Sequence, residues 1–231
     1  MKNKISDSVF KNVKNLKWLP WIGENYFTVP LEKRILIIGE SHYHDKSRSS
    51  IAMHNKVTFT REVIKDMAIR RNYYGTKLFK NLHYALFSND EFDANKFWNA
   101  VSFYNFIQRP MRTNAERPNR NDWLTAWSVF AELSIILQPR ICLFIGTSAA
   151  YFIGDLKNNS KFLNQEALWK AKIGNAYAKT ALLKNEKKPD VKLIFIRHCS
   201  SMFSWSKWHK FLQKEMRDQL RWHKKLTGVR L

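Results

Sequence analysis

Cysteine is scarce in this chain of 231 residues: Cys142 and Cys199 are the only two. Two thiols cannot build a disulfide scaffold, an iron–sulfur cluster or a four-cysteine zinc site, so a reducing compartment is the expectation. Glycine and proline are also few, 7 and 6 respectively, and scattered. The sequence therefore offers no Gly- or Pro-rich linker, and it has no low-complexity tract or repeat. No apolar run approaches the roughly 20 residues that span a bilayer, and Met1–Trp21 lacks the continuous apolar stretch of a signal peptide. A soluble, monomeric protein of the cytoplasm, bacterial cytosol in particular, is expected, with no membrane partner. The length fits one domain covering residues 1–231.

Acidic residues are the next deficit. Against 19 Asp and Glu stand 40 Lys and Arg, a formal net charge of +21. Such a surface favours a polyanionic partner, and phosphate backbones answer it by releasing counterions, with strongly salt-dependent binding. The bases are not spread evenly. Residues 46–83 hold 9 Lys and Arg against 2 acids, and residues 184–231 hold 13 against 4. These two regions are expected to form the anion-facing surface.

What the sequence does have is branched apolar runs alternating with helical patterns. The runs Arg34–Ile38, Val101–Asn105, Arg140–Ile145 and Val191–Ile196 read as strands. Phe59–Arg71, Thr76–Phe87, Asp122–Leu137 (capped by Asp122) and Trp205 to about Lys225 read as helices. The expected fold class is α/β, with a central, mainly parallel four-stranded sheet flanked by helices.

In such sheets ligands bind beyond the carboxyl ends of the strands. The first run is followed by Gly39-Glu40-Ser41-His42-Tyr43-His44-Asp45, a density of chemistry that a simple turn does not need. The second ends in Asn105, whose amide suits a base edge, or equally a local turn. The fourth leads into Arg197-His198-Cys199-Ser200-Ser201-Met202-Phe203, where large apolar side chains in a loop are candidate wedges between stacked bases.

Taken in this order, these strand ends resemble the uracil-DNA glycosylase superfamily. Gly39-Glu40-Ser41-His42-Tyr43-His44 is similar to the family's G-Q-D-P-Y-H motif, and His198-Cys199-Ser200-Ser201-Met202-Phe203 to its H-P-S-P-L-S loop. Asn105 falls where the family has an asparagine closing an apolar strand, and Pro139–Ala150 resembles its strand opening into a helix through Gly and small residues. The resemblance covers roughly residues 30–215. It departs at Ser41, where the family's catalytic aspartate would stand, while Glu40 matches the glutamate of the G-E-x-P-G form of other branches.

The resemblance implies a hydrolase that flips a nucleotide and cleaves the N-glycosidic bond of uracil or a modified cytosine, in base excision repair or antiviral defence, without metal or cofactor. Cleavage builds positive charge on the sugar and negative charge on the base. Glu40 is the expected stabiliser of the sugar and orienter of water, with Asp45 the competing carboxylate, and His198 the expected donor to the pyrimidine O2. Gly39, Ser41, Tyr43, Asn105 and Phe59 would form the base pocket, Tyr43 against C5 and Phe59 stacking on the base. His44, Ser200, Ser201, Met202 and Phe203 would meet DNA, double- or single-stranded. Structural alternatives stand beside these roles: Glu40 as a helix cap, His198 as a buried hydrogen-bonder, Phe59 as the start of a core-facing helix. Two other functions fit the residues, a DNA-binding protein without chemistry and a metal-dependent phosphodiesterase built on His42, His44, Asp45 and His54.

Overall fold

The computed structural model describes residues 5–43, 47–73, 76–113, 115–158, 168–184, 190–200 and 202–229. Seven strands form one mixed sheet in the order β1-β3-β2-β4-β7-β6-β5. They are β1 (Trp21–Ile22), β2 (Ile35–Gly39), β3 (Ser102–Asn105), β4 (Ile141–Ile145), β5 (Leu168–Ile173), β6 (Ala176–Leu183) and β7 (Val191–Ile196). The expected four-stranded parallel sheet is its centre, β3-β2-β4-β7. Three antiparallel strands correct that expectation: β1 caps one edge against β3, and the β5–β6 hairpin extends the other against β7.

The central strands are buried on both faces, which explains their continuous apolar runs. Leu36, Ile38, Tyr104, Phe144 and Phe195 point to one face and meet α5 (Arg120–Leu137) through Trp123, Trp127, Phe130 and Leu133. Ile35, Ile37, Phe103, Leu143 and Ile194 point to the other. That face is covered by α3 (Leu78–Phe87), α4 (Ala94–Ala100), α6 (Trp205–Glu215) and α7 (Arg217–Thr227), with Phe79, Leu82, Trp98, Trp208 and Leu220 packed inward. Burying each such side chain contributes roughly 1.5–3 kcal/mol.

Local chemistry sets the helix boundaries. The N-cap of α5 is Asn119 rather than the expected Asp122: Asn119 Oδ1 accepts from the Asp122 N–H, and Asp122 Oδ2 accepts from the Asn119 N–H, a reciprocal capping box. Two short helices precede α3: α1 (Arg48–His54) and, in place of the single expected helix over Phe59–Arg71, α2 (Phe59–Val63), continuing as a π-helix over Ile64–Ile69. The expected last helix is two, α6 and α7, broken where Met216 leaves helical backbone while its side chain stays in the core.

Candidate active site

Parallel pairing brings the carboxyl ends of β3, β2, β4 and β7 to one edge. The segments leaving β2 and β3 run on together: the Phe106, Ile107 and Met111 N–H groups donate to the Gly39, Glu40 and His42 carbonyls at 2.8, 2.9 and 2.8 Å. Gly146, after β4, donates its N–H to the Ile196 carbonyl at 2.9 Å. Backbone hydrogen bonds therefore fix the positions of all four strand ends.

Glu40 leaves the sheet on the face of Ile38. It lines an apolar pocket with Ile38, Gly39, Phe106, Trp123, Phe144, Ile145, Gly146 and Ala149. Its carboxylate makes no hydrogen bond among the described residues, and burial raises its pKa above the usual carboxylate value, against the pull of Arg117. Gly146 has a positive φ of 147°, and a Cβ there would stand 3.0 Å from Glu40 Oε2. Glycine is what lets the carboxylate occupy this place. Among the described residues the Glu40 side chain caps no helix.

Gly39 and Asn105 face the opposite side. A Cβ on Gly39 would collide with Asn105 Oδ1 and come within 2.9 Å of Phe103 Cζ, so the Asn105 amide lies directly over that glycine. Glu40 and Asn105 thus straddle the end of the sheet, one on each face. Ser41 follows, its hydroxyl oxygen buried and without a hydrogen-bond partner among the described residues. An unsatisfied buried hydroxyl costs roughly 1–3 kcal/mol, which a ligand contact would offset.

His198 stands two strand ends from Glu40, beyond β7. Its Nδ1 lies 2.7 Å from Ser200 Oγ and accepts from the Ser200 N–H at 3.4 Å. A backbone N–H only donates, so the ring proton belongs on Nε2, leaving an Nε2–H donor. Burial, and then Arg117, lower its pKa, favouring the neutral ring. The Asn81 amide anchors the following turn through the Cys199 carbonyl at 2.6 Å.

Other expected site residues fall differently. Phe59 is buried, with ring centroids 4.5 Å from His42 and 4.4 Å from His54, so the ring expected to stack on a base is engaged in the core. His42 is turned inward too, with Nε2 3.0 Å from Thr60 Oγ1 and its pKa lowered to about 3 by burial. Tyr43 is exposed beside Met111 but does not line the apolar pocket. Ser200, expected on phosphate, has its hydroxyl on His198. Phe203 is stacked on Trp208 at 5.9 Å, whereas Met202 is 77% exposed with φ of 46°, so only Met202 projects as a wedge would. His44, Asp45 and Ser201 lie outside the described residues. Among the described residues no group of three His, Cys, Asp or Glu side chains is arranged to hold a metal, and no helix is long and apolar enough to cross a membrane.

Arg117 is a site residue that sequence reasoning missed. It sits in the β3–α5 loop, which Arg109 braces by bonding Asp122 at 2.7 Å and Glu116 at 2.6 Å, while Glu116 also accepts from the Arg112 N–H at 2.6 Å. Its charge acts on both Glu40 and His198, favouring the ionised carboxylate and the neutral imidazole. The aromatic walls Phe106 and Trp123 were also missed, though Phe106 directly follows Asn105. Compared with known proteins, the chain matches no protein-family model and no curated protein.

Proposed function

We propose that the protein is a monofunctional DNA glycosylase that hydrolyses the N-glycosidic bond of a flipped-out pyrimidine, uracil or a modified cytosine. Glu40 carries this reading. It is a largely buried carboxylate with no hydrogen bond among the described residues, on an aromatic-walled pocket at the carboxyl edge of a parallel sheet. Perturbed titratable groups in such clefts mark functional sites.

In the proposed reaction the glycosidic bond breaks with its electron pair leaving on the base. The ionised Glu40 stabilises the cationic sugar and orients a water, whose oxygen bonds to C1′ as its proton passes to the carboxylate and from there to the departing base anion. His198, neutral with hydrogen on Nε2, donates to the pyrimidine O2 as charge collects there. Arg117 favours the required state of each group. The two strand ends are about 10 Å apart at the usual strand spacing, room for a nucleotide between them.

The test is incubation with DNA containing uracil, damaged bases or phage-type modified cytosines, followed by detection of free base and abasic sites. Base release that persists in EDTA and disappears in Glu40→Gln supports the reading. Binding without release on every substrate would leave a non-catalytic DNA-binding protein, which the serine at position 41 favours. Metal-dependent strand scission without abasic sites would replace it with a phosphodiesterase.

A further inference from the structure

The β5–β6 hairpin, unexpected from the sequence, reaches past the active edge of the sheet. Its last registered pair with β7 is Lys179 with Phe195, which sets Ala178 level with Ile196 at the end of β7, so Ala176, Tyr177 and the turn at Gly174 extend beyond the central strands. This is the edge that carries Glu40 and His198.

Lys179 is only 1% exposed. Its ammonium lies 3.2 Å from the centroid of the Tyr151 ring and donates to the Thr147 carbonyl at 3.3 Å. Thr147 is the residue after Gly146, against which Glu40 packs. Burial lowers the lysine pKa to about 8, the mark of an ammonium held at a cost. The cation–π contact fixes the Tyr151 ring, which remains 67% exposed. Tyr177, 49% exposed, lies two residues before Lys179 and so shares its face of β6, about 7 Å along the strand.

We propose that Tyr151 and Tyr177, with Lys179 seated under the first, form a stacking platform for single-stranded DNA flanking the nucleotide being processed. Exposed tyrosines beside a cation, on a chain of charge +21, fit the combination that binds single strands. Bases in a duplex are already stacked and offer no free faces, so the platform discriminates against paired DNA. The assignment of the bound strand as substrate rests on the glycosylase reading; the binding itself does not.

The experiment measures fluorescence anisotropy of a labelled oligothymidine and of the same oligonucleotide annealed to its complement, at physiological salt. The double variant Tyr151→Ala/Tyr177→Ala should lose affinity for the single strand by roughly tenfold or more per ring. Its duplex affinity should stay within about twofold. Tyr151→Phe/Tyr177→Phe keeps the rings and should bind the single strand as the unmodified protein does. Unchanged single-strand binding by the alanine double variant overturns the platform, and so does an equal loss on both DNAs. Absence of base release from every substrate defeats the glycosylase reading and leaves these binding results standing.

Discussion

The Glu40 carboxylate and Gly146 are in such close contact that a single added methyl group would disturb the site: a Cβ on Gly146 would stand 3.0 Å from Oε2. The φ of 147° adds backbone strain of roughly 1–3 kcal/mol for any other residue. Gly146→Ala should therefore lower the melting temperature and displace Glu40, cutting single-turnover base release at least tenfold. Affinity for DNA should stay within about twofold. A fully active, fully stable alanine variant would show that the position of Glu40 does not matter.

Glu40→Gln separates chemistry from stability. Burial raises the carboxyl pKa in the folded protein, so the folded state favours the protonated form. The resulting stabilisation is present at low pH and is lost as pH rises through the raised pKa, above which the ionised carboxylate is a liability. Glutamine removes that liability. Base release should fall roughly 100-fold or more while the melting temperature at pH 7.5 holds or rises. His198→Ala should lose comparable rate, with unchanged affinity for an abasic analogue. Retained base release by both variants would mean that the site has been assigned to the wrong residues.

Much of this arrangement was legible in the sequence because buried parallel strands announce themselves. Val191–Ile196 coincides with β7, and the other three expected strands lie within one residue of β2, β3 and β4. Locating the strand ends located Glu40, Asn105 and His198. The Trp21–Ile22 strand is too short to leave a pattern. The β5–β6 hairpin was missed although a Gly-Asn turn, Gly174-Asn175, lies at its tip, a recognisable hairpin signal. Arg117 has no periodicity to betray it, since its position follows from the ion pairs of Arg109. Phe59 and Phe203 show the converse limit: an aromatic ring beside a motif reads alike whether it awaits a base or already has a partner, as both do.

Three buried imidazoles govern acid stability. Burial lowers the pKa of His42 and His83 to about 3 and of His223 to about 4. The unfolded value is near 6.5. Their contribution is thus complete above about pH 6.5 and is lost as pH falls toward 3–4, because the unfolded chain binds more protons in that window. At pH 5 the combined loss is on the order of 5 kcal/mol, comparable to the whole stability of a typical domain. The melting temperature should drop by more than about 10 °C between pH 7.5 and 5.0. His83→Gln, which keeps an acceptor for Trp98 Nε1, should flatten part of that slope. A melting temperature independent of pH over this range would contradict the buried, neutral assignment.

Met202 has the geometry of an inserted wedge. It is 77% exposed and sits at φ of 46°, an unfavourable backbone conformation for an unbranched side chain. Its neighbour Phe203 is held by Trp208, and the turn before it by Asn81. An apolar side chain projected from an anchored loop can fill the space a flipped nucleotide leaves, offsetting the few kcal/mol of unstacking. That help is needed only where bases are paired and stacked. Met202→Ala should therefore slow single-turnover base release from duplex DNA by tenfold or more and from single strands by less than about twofold. Met202→Leu should restore most of the duplex rate, since bulk rather than the thioether fills the gap. Equal slowing on both substrates would instead place Met202 among the residues that contact the reacting nucleotide.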